Sequence, residues 1–143
     1  MDHIAIMQKS WGLTEKIATG QKTIESRWYK VKYTPWGRTS PGDSIYFKNS
    51  GEPVTIQAKI SRIINFSDLT PEKVQTILKN HSKELGLDEP DIPRFFDMFK
   101  DKKYCILIYL TDAYHIQPFE INKRGFGTMS SWISVESITK IKT

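Results

Sequence analysis

The 143-residue sequence predicts an α+β fold, a small mixed β-barrel with helices covering its ends. Most periodic segments alternate apolar and polar residues with the two-residue period of strands. Segments with helical periodicity precede the first of these strands and lie between the third and the fourth. The length and the apolar fraction of 38% suit one domain with a hydrophobic core, so residues 1–143 are expected to form a single domain.

The first half of the chain should contain one helix followed by three strands. Ser10 is a typical helix N-cap and Gly20 a typical helix terminator, so we expect the first helix between them. Pro- and Gly-rich segments at 34–38 and 40–43 predict turns. Alternation predicts strands at 23–31, 44–48 and 54–64, the last with Val54, Ile56, Ala58, Ile60 and Ile64 facing inward.

The second half should contain two helices and then further strands. Thr70-Pro71 begins a helix that Gly86 ends, and a shorter helix follows Pro93. The segment 104–111 is apolar on both faces, which indicates a central strand. Shorter strands are expected at 115–121 and 132–135, separated by a glycine-containing loop.

The charge of the chain is unevenly distributed. The net charge is +5, but residues 16–62 carry +6 and residues 84–101 carry −4. A basic first half indicates a face that attracts phosphates, and ordinary solvated charge explains the same numbers equally well.

Several classes of site are not expected. Cys105 is the only cysteine and lies in an apolar segment, so we interpret it as core. His3, His81 and His115 lack metal-ligand spacing, so neither a metal nor a cofactor is expected, and no Ser-His-Asp arrangement can be assembled from the sequence. No signal peptide or membrane-length apolar run is recognised, which makes the cytoplasm the default location.

Three charged residues in the segment Gly20-Gln21-Lys22-Thr23-Ile24-Glu25-Ser26-Arg27 form the main candidate site. Strand alternation places Glu25 and Arg27 on one face, and Lys22 precedes them at the turn. Lys22 could bind phosphate or act as nucleophile or base, Glu25 could accept a proton or a base's amine, and Arg27 could grip a phosphate. The alternative is a structural ion-pair ladder at the barrel mouth, with Arg27 paired to Glu25.

This segment resembles the GxKxxExR signature of the ASCH domain, a PUA-like β-barrel, at Gly20, Lys22, Glu25 and Arg27. The predicted order of elements from residue 4 to residue 111 also resembles that family. The resemblance implies a cleft, lined by the signature, that binds RNA, single-stranded nucleic acid or a modified nucleoside. Some members are ribonucleases, and a smaller branch hydrolyses N4-acetylcytidine.

The amidohydrolase branch matches this sequence only in part. Lys22 matches the signature lysine of that branch, whereas Glu25 occupies the position of its threonine. Glu84 is the nearest candidate for the glutamate of its helical insert. A carboxylate at position 25 would hold Lys22 protonated and less nucleophilic, which argues against amide hydrolysis. Because a fold alone does not establish catalysis, RNA or nucleotide binding is the first hypothesis, and a metal-independent ribonuclease or amidohydrolase on the same cleft is the alternative.

Two further segments are candidates for ligand contacts. In the first, residues 123–127, two glycines let backbone N–H groups approach a phosphate beside two cations. The alternative is a hairpin loop whose aromatic residues, together with Trp132, are buried in the core. The second interleaves aromatic and basic residues, as single-strand binding surfaces do, and fits a solvated loop with one or two core aromatics equally well. The predicted contacts are Lys123, Arg124, Gly125, Phe126 and Gly127 in the first segment, and Trp28 and Lys30 in the second.

Overall fold

The fold is a mixed six-stranded half-barrel sheet with helices packed against it. The computed structural model describes residues 1–33, 35–127 and 130–143. Thr34 in the first predicted turn and Thr128, which follows the predicted glycine loop, lie outside the described residues. The strands are β1 (Asp2–Met7), β2 (Ile24–Tyr29), β3 (Ser44–Asn49), β4 (Val54–Phe66), β5 (Tyr104–Phe119) and β6 (Trp132–Val135). The helices are α1 (Thr14–Ala18), α2 (Pro71–His81) and α3 (Ile92–Phe99).

The strand order is β2-β5-β4-β3-β1-β6, so β2 and β6 are the two edges of the sheet. Only β1 and β3 pair in parallel among the described strands, and the other neighbours are antiparallel. Because the sheet curves without closing, the two edges leave a seam, and the candidate site lies along it.

The N-terminal strand β1 was not expected from the sequence. Ile4 and Ala5 are adjacent and both fully buried, because β1 lies between β3 and β6 and is covered on both faces. A strand buried on both faces shows no alternation, and the apolar run of β1, residues 4–7, is too short to classify by periodicity.

The predicted start of the first helix at Ser10 is wrong. Residues Lys9–Trp11 form a single 3-10 turn, and Gly12 then adopts a left-handed backbone with φ +67°. That conformation interrupts the helix, which begins only at Thr14.

The predicted division of 104–121 into two strands is also wrong. β5 continues from Tyr104 to Phe119 and pairs with β4 along most of that length. Asp112 has φ +55° and the register between the two strands shifts nearby, so the chain kinks without leaving the sheet. The polar Thr111-Asp112 pair therefore marks a bulge instead of a strand end.

The other predicted elements are confirmed within a few residues. Val54, Ile56, Ala58 and Ile60 are buried on β4, as the alternation predicted. Thr70 caps α2 by accepting a hydrogen bond from Lys73 N at 3.3 Å, although α2 ends at His81 and not at Gly86. No helix of the described residues is long and apolar enough to span a membrane.

The helices cover one face of the sheet with a layer of aliphatic and aromatic side chains. Val74 and Leu78 of α2 and Phe95 of α3 pack against Ile24 and Leu107 of the sheet. Burial of about ten such side chains is worth roughly 1.5–3 kcal/mol each before the entropy of folding is subtracted. This layer fixes the position of β2, which carries Glu25 and Arg27 of the signature.

Candidate functional site

Two neighbouring cavities lie along the seam between the sheet edges. The first, here called the inner cavity, encloses about 250 Å³, and the second, the outer cavity, about 550 Å³. Tyr29 and Ser131 line both. The inner cavity is lined by Ile6, Met7, Gln8, Trp11, Leu13, Lys22, Glu25, Ser26, Arg27, Trp28, Tyr29, Leu78, Leu85, Leu87, Phe95, Phe99 and Ser131. The outer cavity is lined by Tyr29, Tyr33, Arg38, Gly125, Phe126, Ser130, Ser131, Trp132, Ile133 and Ser134.

Lys22 is buried, with 2% of its surface exposed, and its ammonium is surrounded by protein oxygens. Nζ donates to the carbonyls of Ile24 at 2.7 Å and Leu85 at 2.9 Å, and it lies 3.3 Å from Glu25 Oε1. Three acceptors match the three N–H groups of a protonated ammonium. Burial lowers the pKa of Lys22, and the neighbouring Glu25 carboxylate opposes that shift.

The close packing around Lys22 also explains the glycine at position 86. A Cβ on Gly86 would lie 3.0 Å from Lys22 Cβ, and Gly86 has φ +77°. Both the left-handed backbone and the lack of space therefore require glycine there. The loop after α2 is thus built to bring the Leu85 carbonyl onto the ammonium.

Glu25 is the anion between the two cations. Oε2 accepts from Arg27 Nη2 at 2.9 Å and Nε at 3.2 Å, and Oε1 accepts from Ser26 N at 3.2 Å. Burial would raise the pKa of Glu25, but Arg27 and then Lys22 outweigh it and hold that pKa below its ordinary value. Glu25 is therefore a carboxylate whose two oxygens are both engaged.

Arg27 joins the two sides of the seam. Besides the pair with Glu25, Nη1 donates to the Ser131 carbonyl at 3.2 Å and Nη2 to the Ile6 carbonyl at 3.4 Å. The guanidinium carbon also lies 5.3 Å from the centre of the Trp132 ring. The side chain thus bridges β2 to β1 and to the residue that precedes β6, where the backbones do not pair.

The ion-pair arrangement that was the alternative for these residues is therefore present, and it forms the wall of a cavity instead of a closed surface. Glu25 pairs with both Lys22 and Arg27, and all three residues line the inner cavity. Arg27 has five N–H groups, and the described residues provide partners for only one of the two on Nη1. The second N–H of Nη1 is the donor that this wall can offer to a ligand.

The backbone of β2 offers further hydrogen-bonding groups. The Thr23 carbonyl accepts a hydrogen bond from Leu110 N of β5. Because alternate residues of an antiparallel edge strand face its partner, the backbone N–H and C=O groups of residues 24, 26 and 28 point away from β5. There the Ile24 N–H donates to the Glu84 carbonyl, and the Ile24 carbonyl accepts from Lys22 Nζ. The Ser26 N–H donates to Glu25 Oε1. The Ser26 carbonyl and the Trp28 N–H lie on that same edge, and within the described ranges neither makes a hydrogen bond outside the sheet ladder.

Aromatic residues form much of the rest of the inner cavity. Trp28 stacks on Phe99 with ring centres 4.7 Å apart, and its Nε1 donates to Ser26 Oγ at 2.9 Å. Trp11 meets Phe95 edge to face at 5.3 Å. The predicted ligand residue Trp28 is thus a core aromatic, as the alternative had it, whose edge borders the cavity.

Part of the predicted glycine loop lines the outer cavity. Gly125 and Phe126 line it, and Phe126 is 38% exposed, whereas Trp132 is buried. Arg38 provides a cation in the same lining. Burial raises the pKa of Tyr29 to about 12, so the phenol between the two cavities is neutral.

The remaining predicted residues do not line either cavity. Lys30, Arg124 and Gly127 are exposed, and Lys123 Nζ donates to the Ser130 carbonyl at 3.2 Å. Glu84 is exposed on the surface, and it is its carbonyl, not its carboxylate, that reaches β2. No group of three or more possible metal ligands occurs in the part of the chain that the structure describes.

Several lining residues were not singled out from the sequence. Met7 ends the strand β1, which the sequence did not predict, Gln8 follows it, and Ser131 precedes β6. None carries a local motif, because they reach the site only through the pairing of β1 with β6. Trp11, at the end of the 3-10 turn, also borders the inner cavity.

Comparisons with known proteins show which fold this is. No family model matches the sequence, and no curated protein matches it. Among solved structures, the ASCH protein from Zymomonas mobilis superimposes with a TM-score of 0.67 at 15% identity, over 99% of this chain and 96% of that one. A point variant of the same protein gives 0.68 at 16% identity, over 97% and 93%.

A second solved structure is more distant. The N-terminal domain of McrB from Staphylothermus marinus gives a TM-score of 0.51 at 11% identity, over 83% of this chain and 76% of that one. The half-barrel and its helices define a mixed α+β domain. The chain therefore has the fold of the ASCH structures, which confirms the predicted fold, while the roles of the signature residues stay predictions.

Proposed function

We propose that the protein binds single-stranded RNA or a modified nucleoside, with one base in the inner cavity and the attached sugar-phosphate over the outer cavity. The lining of the inner cavity is mostly apolar and aromatic, with a few polar groups, as small-molecule sites usually are. At about 250 Å³ it is smaller than typical drug-sized pockets and suits a single planar group.

The observation that carries this proposal is the open edge of β2. The Ser26 carbonyl and the Trp28 N–H provide an acceptor and a donor beside each other, and Arg27 Nη1 adds a second donor. The Watson–Crick edge of a base carries donors and acceptors of the same kind. An apolar molecule would leave these groups unpaired, which costs about 1–3 kcal/mol per buried group.

Charge supports a nucleotide over a neutral ligand. Arg38 lines the outer cavity, and the first half of the chain carries a net charge of +6 between residues 16 and 62. Tyr33 and Phe126 are exposed aromatics at the same cavity and provide faces on which a neighbouring base can stack.

Binding is favoured over catalysis by the signature residues because their reactive groups are engaged. The Lys22 ammonium has three protein acceptors, and both Glu25 oxygens accept hydrogen bonds. A lowered pKa makes Glu25 a weak base, and a saturated ammonium is a poor nucleophile. A ribonuclease or amidohydrolase that used these residues would need Lys22 or Glu25 freed from its present hydrogen bonds.

Blocking the mouth of the inner cavity tests the proposal. Gln8 is exposed and lines that cavity, so Gln8→Trp places a large ring at the entrance without altering a charge. We expect it to weaken binding of a labelled single-stranded RNA by about tenfold or more, since the lost base contacts are worth about 1–3 kcal/mol. Fluorescence anisotropy at fixed salt measures the dissociation constant, and gel analysis of the same samples shows whether the RNA stays intact.

Gln117→Trp is the matched control, because Gln117 is exposed on β5 and lines neither cavity. Its affinity should equal that of the wild type. Equal weakening by both variants, or by neither, would remove the inner cavity from the binding site. Cleavage of the RNA that persists in chelator and disappears in Lys22→Ala would replace binding with the ribonuclease alternative.

A further inference from the structure

A second cluster of chemically capable residues lies beside the outer cavity and is absent from the proposal above. His3 in β1 is fully buried and contacts side chains from two other segments. Its Nε2 lies 2.8 Å from Asp43 Oδ2, just before β3, and its Nδ1 lies 2.8 Å from Ser134 Oγ on β6. The sheet assembles this group, since His3 is the register partner of Ser134.

The protons of this cluster are fixed by the charge states of its members. The pKa of Asp43 is lowered by its hydrogen bonds to His3, Ser40 and the N-terminus, which outweigh burial, so the carboxylate can only accept. His3 Nε2 must therefore carry a proton. Burial lowers the pKa of His3, so the imidazole is neutral and Nδ1 is left as an acceptor. The Ser134 hydroxyl is then the donor to Nδ1.

Ser134 is further oriented by Trp132 and is accessible from the outer cavity. Trp132 Nε1 donates to Ser134 Oγ at 3.1 Å, which leaves the single proton of Oγ to point at His3. Ser134 lines the outer cavity, whereas His3 lies behind it, fully covered. Here a serine at a cavity wall is bonded to a neutral imidazole, and the partly exposed Asp43 carboxylate orients that imidazole. Serine nucleophiles are activated by this kind of arrangement.

We propose that Ser134 is a nucleophile toward carboxylic esters that enter the outer cavity, with His3 as its general base and Asp43 as a positioning residue. Ser134 Oγ bonds to the ester carbonyl carbon while its proton passes to His3 Nδ1. The bond from that carbon to the leaving oxygen breaks, and the departing alkoxide takes the proton from His3. Water, activated in the same way, then hydrolyses the acyl-serine to the free acid. Arg38 on the cavity wall favours esters that carry a negative charge.

A fluorophosphonate probe tests the nucleophile directly, because attack by Oγ displaces fluoride and leaves a stable mass on the serine. We expect labelling of the wild type at Ser134, located by peptide mass spectrometry, and hydrolysis of p-nitrophenyl acetate by the same protein. Ser134→Ala should abolish both. Ser61→Ala is the matched control, since Ser61 is exposed on β4, lines neither cavity and directs its hydroxyl to the Tyr109 carbonyl, so its loss should change neither.

Asp43→Asn tests whether Asp43 makes His3 a better base for Ser134 or only supports the fold. It should slow labelling by about 100-fold, the usual range for a general-base system. The midpoint of the pH profile of labelling should also fall, because the imidazolium loses its carboxylate partner. Circular dichroism confirms folding of each variant, and His3→Gln provides a second test of the base. The proposal would be overturned if Ser134 of the folded wild type were not labelled. It would also be overturned if the rate and the pH profile of labelling were the same in Asp43→Asn and His3→Gln as in the wild type. The outcome is independent of RNA binding.

Discussion

Glu25→Ala is expected to lower the free energy of unfolding by about 3–5 kcal/mol, the largest effect of any single substitution at the site. The carboxylate lies between Lys22 and Arg27, and all three side chains are at most 11% exposed. Removing it leaves a buried ammonium and a guanidinium without their anion. Urea unfolding at neutral pH measures the change, with equal m-values in the two proteins as the check on two-state behaviour.

Glu84→Ala is the control for this prediction, because Glu84 is exposed and its side chain lines neither cavity. Its effect should stay within about 0.5 kcal/mol. A Glu25→Ala variant as stable as the Glu84→Ala variant would mean that the three charges do not hold one another in the folded protein.

The same residue gives the wild type a dependence on acid pH. The folded pKa of Glu25 is held below its ordinary value of 4.5, so its stabilising contribution is complete above that pH. As the pH falls below 4.5 and through the folded pKa, the contribution is lost. Glu25→Ala should therefore show a shallower loss of stability in acid than the wild type does, after each is referred to its own value at pH 7.

Arg27→Lys is expected to lower the free energy of unfolding by about 2 kcal/mol and to weaken RNA binding by about tenfold, since a charged hydrogen bond contributes about 1.5–3 kcal/mol. A lysine keeps the positive charge beside Glu25 but cannot bond Glu25 and the Ser131 and Ile6 carbonyls at once. The seam between β2 and β1 would then lose its bridge. Hydrogen exchange of the β2 amides should speed up together with the loss of affinity.

Arg62→Lys is the corresponding control, because Arg62 is exposed on β4 and packs on the Tyr109 ring at 5.3 Å, away from both cavities. It should change stability by less than about 0.5 kcal/mol and leave RNA affinity unaltered. Unchanged β2 exchange in Arg27→Lys would show that the seam is held by other contacts.

Local patterns predicted most of the sheet because its strands either alternate or are strongly apolar. β4 shows clear alternation and was placed to within two residues at its C-terminal end. β1 is not predicted by alternation because it is covered on both faces. The kink at Asp112 is mistaken for a strand end because polar residues there interrupt an apolar run. Both misassignments come from tertiary pairing, which short-range periodicity does not report.

The candidate site was predicted in part for the same reason. Glu25 and Arg27 share a face because they are two residues apart on a strand, and that is local geometry. Whether their charges faced solvent or one another depended on the Leu85 carbonyl, the Ser131 carbonyl and β1, which come from distant parts of the chain. The His3–Ser134 contact spans 131 residues and carries no sequence motif at all.

The most direct measurement of the central claim follows the tryptophan indole N–H signals in a ¹⁵N-labelled sample during titration with a short single-stranded RNA. Trp11 and Trp28 line the inner cavity, Trp132 lines the outer cavity, and Trp36 lines neither. A base bound in the inner cavity predicts large shifts of the Trp11 and Trp28 signals at saturation, with Trp36 nearly unchanged. Saturation with the Trp11 and Trp28 signals unmoved would contradict the account.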